Sequence, residues 1–73
     1  MELGVQPLDQ IMTRLKLTNK DLVRVSAEQL THKMVQKGRK GRRLTLKAQM
    51  KIADALNTAS AEEKFTQKEI FNY

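Results

Sequence analysis

Gln29, Thr31, His32 and Lys33 crowd into one short stretch, and each side chain can hydrogen-bond the edge of a nucleobase. Glutamine matches adenine, lysine matches guanine, and threonine meets either a base or a methyl group. Glu28, just before them, is an acceptor that either reads cytosine or repels a phosphate. Downstream stand Lys37, Arg39, Lys40, Arg42, Arg43 and Lys47, cations suited to phosphate oxygens, which position a protein without reading sequence. Thr18, Asn19 and Lys20 open an expected helix, whose free amides can hold a further phosphate.

The charge distribution supports the same chemistry. The chain carries 14 Lys and Arg against 8 Asp and Glu, a net charge of +6. Lys33, Lys37, Arg39, Lys40, Arg42, Arg43, Lys47 and Lys51 all lie between Gln29 and Ala53, where no acidic residue occurs. A one-signed segment of this length makes a field that attracts polyanions. Its charges gather around two glycines rather than along an amphipathic helix with large apolar anchors, which argues against a membrane surface.

Catalytic chemistries fail on inventory. His32 is the single histidine and cysteine is absent, so neither a histidine-built metal site nor a thiolate is expected. Gly38-Arg39-Lys40-Gly41 lacks the spacing and the preceding strand of a phosphate-cradling P-loop. The expectation is a binding module with no enzymatic activity, no cofactor and no small-molecule substrate. No apolar run approaches the ~20 residues of a membrane helix, and Met1 to Pro7 has no signal-peptide character, so a cytoplasmic location is expected.

The elements that must position these residues read as helices. The expected fold is all-α: a compact bundle of four to five short helices containing a helix-turn-helix. Residues 1–73 form one domain, with a core over about 7–57 and an aromatic tail over 58–73 packing on it. Pro7 starts helix 1, with Leu8, Ile11, Met12 and Leu15 at the spacing of one apolar face, giving Pro7 to Leu15. Thr18 caps a short helix over Asn19–Val25, with Asp21 in a capping-box-like position. Ser26 and Gln29 form a second capping box, so helix 3 is expected over Ala27–Lys37, ending at Gly38 and leaving Gln36 on an exposed face. Gly38 to Arg43 is then an exposed loop. Thr45 caps helix 4 over Leu46–Asn57. Ser60 to Glu63 and Thr66 to Glu69 are further capping boxes, in a tail that lays Phe65, Ile70 and Phe71 on the bundle, as core or as a dimer face.

Three segments in order then resemble the lambda-repressor-like (Cro and repressor type) helix-turn-helix family. They are Leu17-Thr18-Asn19-Lys20-Asp21-Leu22 opening a helix, Val35-Gln36-Lys37-Gly38-Arg39-Lys40 closing the next, and Leu44-Thr45-Leu46 followed by Lys51-Ile52-Ala53-Asp54-Ala55-Leu56. The resemblance runs from about Leu8 to Asn57. The chain departs from the family pattern at Val23, where alanine is usual, and at Val25-Ser26-Ala27, where the turn glycine is missing. The resemblance implies a third helix in the DNA major groove, often as a homodimer on a two-fold site. The expected function is sequence-specific binding of double-stranded DNA in transcription regulation, with helix 27–37 reading bases and the 38–43 loop on phosphates. A basic protein of RNA or the ribosome, and an antitoxin-like or adaptor domain, remain open alternatives.

Overall fold

Threonine stands at the N-cap of four successive helices, at Thr18, Thr31, Thr45 and Thr66. Its hydroxyl can accept from an amide of the first turn that has no partner within the helix. A computed structural model describes residues 4–27, 29–60 and 63–72. It contains α1 (Pro7–Arg14), α2 (Asn19–Val25), α3 (His32–Lys40), α4 (Leu46–Ala59) and α5 (Gln67–Ile70), and no strand among the described residues. The all-α bundle of short helices is thus the fold.

Each helix contributes an apolar stripe to one core. Leu8 and Met12 come from α1, Leu22 from α2, Val35 from α3, and Ile52, Ala53, Ala55 and Leu56 from α4. Burying each of the larger side chains contributes about 1.5–3 kcal/mol relative to leaving it in water. Helix α4 is the longest element and packs against α2, α3 and α5. The tail is part of the core itself: Ile70 and Phe71 are buried and Phe65 packs beside them. Tyr73 lies outside the described residues.

Three amides tie separate segments of the chain together. Gln6 is fully buried; its Oε1 accepts from the amide of Asn72 at 2.7 Å and its Nε2 donates to the carbonyl of Gly4 at 3.0 Å. Asn57 exchanges two bonds with the backbone of Phe65, at 2.7 and 2.9 Å. Gln49 Nε2 donates to the carbonyl of Leu44 at 2.8 Å, while its Oε1 accepts from Gln67. No buried side-chain nitrogen or oxygen among the described residues is left without a partner.

Helix α3 corrects the sequence expectation at both ends. It begins at His32, not Ala27. Ser26 instead closes α2, its amide donating to the carbonyl of Leu22 at 3.1 Å. Thr31 caps α3, its hydroxyl accepting from the amide of Met34 at 3.1 Å. The reason is tertiary. A start at Thr31 turns Val35 and Gly38 inward, and lets Leu30 enter the core from the connection before the helix.

Nor does α3 end at Gly38, which is buried inside it. A methyl group there would lie 3.2 Å from both Ile52 Cδ1 and Phe71 Cε1, so the missing side chain is what lets α4 and the tail approach. The helix ends at Gly41, with φ +90° in the left-handed region. The amide of Gly41 donates to Gly38 and that of Arg42 to Lys37, the paired bonds of a Schellman close. Residues 38–40 are therefore helix, and the exposed loop expected over 38–43 shrinks to its last part. Helix α4 runs two residues past the expected Asn57, to Ala59. Ser60 caps its C-terminal end; Ala61 and Glu62, within the capping box expected over 60–63, lie outside the described residues. No helix among the described residues is long and apolar enough to cross a membrane.

Candidate nucleic-acid interface

Once α3 starts at His32, its residues sort cleanly by periodicity. Val35 and Gly38 point into the core, whereas Lys33, Gln36, Lys37 and Lys40 recur at the i, i+3, i+4, i+7 spacing of the opposite stripe. Those four side chains, with Arg42 just past the Gly41 turn, line one open hollow of about 340 Å³. A second hollow of about 170 Å³ shares Lys33 and Lys37 and adds Thr31, Met34 and Leu44. Cations thus run along a groove with an apolar flank from Met34 and Leu44, and among the described residues no carboxylate lines either hollow.

The expected base-reading residues separate into two groups. Thr31, His32 and Lys33 sit at the N-cap and first turn of α3, exposed. Gln29 is exposed but lies in the connection before the cap, not on the helix, because α3 begins late. Glu28 lies outside the described residues. Gln36 is the residue that the sequence reading undervalued. A helix begun at Ala27 places it in the final turn, whereas a helix begun at His32 places it in the middle of the cationic stripe. The signal was present in Thr31, a cap residue three positions before Met34.

The expected phosphate contacts separate as well. Lys37, Lys40 and Arg42 line the hollow, and Lys20, Arg43 and Lys47 are exposed. Arg39 is turned inward: its Nε donates to Asp9 Oδ1 at 2.6 Å, its Nη1 donates to Asn19 Oδ1 at 2.8 Å, and its side chain is only 19% exposed. It braces α3 against α1 and α2 rather than standing in an open loop. Asn19 is likewise engaged, its Nδ2 donating to Gln36 Oε1 at 2.9 Å.

The N-terminus of α2 is not an open anion site. Asp21 Oδ2 accepts from the Thr18 amide at 2.8 Å and from the Thr18 hydroxyl at 3.0 Å, and Thr18 Oγ1 accepts from the Asp21 amide at 3.3 Å. The bonds from Thr18 hold the Asp21 carboxyl below its usual pKa, so a negative charge already occupies the place expected for phosphate.

No protein-family model, curated protein or solved structure matches this chain.

Proposed function

We propose that this chain is a DNA-binding module whose α3 enters the major groove of a duplex, in sequence-specific regulation of transcription. The observation that carries the reading is the stripe Lys33, Gln36, Lys37 and Lys40, which with Arg42 lines a single open hollow. An α-helix fits the major groove, lysine and glutamine are base-reading side chains, and the flanking cations suit the phosphate strands. Helices α2 and α3, joined through 26–31 and packed together, serve as the helix-turn-helix pair of this reading. Met34 and Leu44 supply apolar surface for thymine methyl groups. The rings of Phe65 and Phe71 pack with the core, which leaves them unsuited to the base stacking that sequence-specific RNA recognition uses.

One short reading helix gives limited discrimination, so two copies on a two-fold site are the expected assembly. Selection of bound sequences from a random duplex pool, at two salt concentrations and with structured RNA as competitor, tests the proposal. An enriched palindrome that outcompetes the RNA supports it; equal capture of all sequences, or preference for RNA, overturns it.

A further inference from the structure

Among the described residues Gln36 is the one uncharged side chain lining the cationic hollow, and its orientation is set by a chain of contacts that begins on α1. Asp9 holds Arg39 by its Nε at 2.6 Å. A guanidinium carries only donors, so the amide that meets Arg39 Nη1 must turn its oxygen there, as Asn19 Oδ1 does at 2.8 Å. That commits the nitrogen of Asn19 to its other side, where it donates to Gln36 Oε1 at 2.9 Å. With its oxygen drawn to Asn19, the planar amide of Gln36 faces its nitrogen away, and that nitrogen donates to no other described residue.

We propose that the chain Asp9–Arg39–Asn19 holds Gln36 as a fixed hydrogen-bond donor in the groove, and that Gln36 thereby selects guanine over adenine. The inference rests on the duplex-binding reading above. A glutamine with both arms open pairs with adenine, accepting from N6 and donating to N7. With its acceptor arm engaged, the remaining N–H groups match guanine, whose N7 and O6 are both acceptors, whereas on adenine only N7 accepts and the N6 amino group loses its partner. Asn19 and Arg39 are positioning residues, and Gln36 is the one that touches the base.

Asn19→Asp tests the orientation. Aspartate keeps the acceptor for Arg39 but has no donor for Gln36. Its carboxylate draws the Gln36 nitrogen toward α2 and turns the Gln36 oxygen into the groove. Sequences selected by the full chain should carry a guanine whose preference disappears in Gln36→Ala. In Asn19→Asp that preference should shift toward adenine or cytosine by about tenfold, the size of one good base contact. A general effect on folding or charge would weaken all sequences alike. Duplex binding with the same guanine preference in wild type and Asn19→Asp overturns the inference but leaves the duplex-binding reading intact. So does a selected site unaffected by Gln36→Ala.

Binding of no duplex at low salt would instead remove the reading itself. The oriented amide is then judged on the protein alone, by 15N relaxation of the Gln36 side chain. An order parameter near 0.8 that falls below about 0.6 in Asn19→Ala supports a held amide; a value already below about 0.6 in wild type overturns it.

Discussion

Arg39 Nε donates to Asp9 Oδ1 at 2.6 Å, joining the last turn of α3 to the first turn of α1. Both side chains are partly shielded, Arg39 more than Asp9, so the contact exceeds an ordinary surface ion pair without carrying the full desolvation cost of a buried one. Removing either partner should cost about 1.5–3 kcal/mol of stability in urea unfolding, the range of a hydrogen bond to a charged group. Asp9→Ala and Arg39→Ala together should cost less than their sum, because one contact is being removed twice. Strict additivity would show that the pair contributes nothing as a pair.

The two glycines of the basic segment should respond differently to alanine. At Gly38 the methyl group improves helix propensity by about 1 kcal/mol but presses on Ile52, Phe71 and Leu44 at 3.2–3.3 Å. Overpacking costs about 1–3 kcal/mol, so Gly38→Ala should be destabilising by about 1 kcal/mol net. At Gly41 the φ of +90° disfavours any side chain, and a Cβ would fall 1.8 Å from the Gly4 carbonyl oxygen. The N-terminal segment must then move, and Gly41→Ala should lose more stability than Gly38→Ala. The order of the two melting temperatures checks this.

Acid should loosen the starts of α2 and α5. Asp21 is held below its usual pKa of 3.8 by bonds from Thr18, and Glu69 below its usual 4.5 by bonds from Thr66. A depressed folded pKa contributes stability above the unfolded value and loses it as pH falls through the folded one. The contribution is therefore complete at neutral pH and fades below about pH 4. Asp21→Asn with Glu69→Gln should flatten the acid limb of a melting-temperature profile while leaving its neutral part lower. An acid limb as steep as wild type would place the acid sensitivity elsewhere.

Salt dependence separates groove cations from the rest. Lys37→Ala, Lys40→Ala or Arg42→Ala should each reduce the slope of log affinity against log salt by about one unit, weakening all duplexes alike. Lys68 is exposed on α5 and lines neither hollow, so Lys68→Ala should leave the slope unchanged. Equal effects from Lys68 and Lys37 would make the attraction a property of net charge rather than of the groove.

Local signals in the chain determined most of the helices and all of the cationic field. Pro7, the reciprocal pair Thr18 and Asp21, and Thr45 are caps that act within one turn, so α1, α2 and the start of α4 were legible from neighbouring residues alone. Competing local signals could not be ranked that way. Ser26 and Thr31 both suit a helix start, and Gly38 and Gly41 both suit an end. The choice fell to long-range packing: Leu30 and Val35 must enter the core, Gly38 must face Ile52 and Phe71, and Gly41 must pass against Gly4. The same shift decided the site. It set Lys33, Gln36, Lys37 and Lys40 on one outward stripe and turned Arg39 to Asp9, because the core takes Val35 and Gly38 from α3 and leaves the opposite stripe outward.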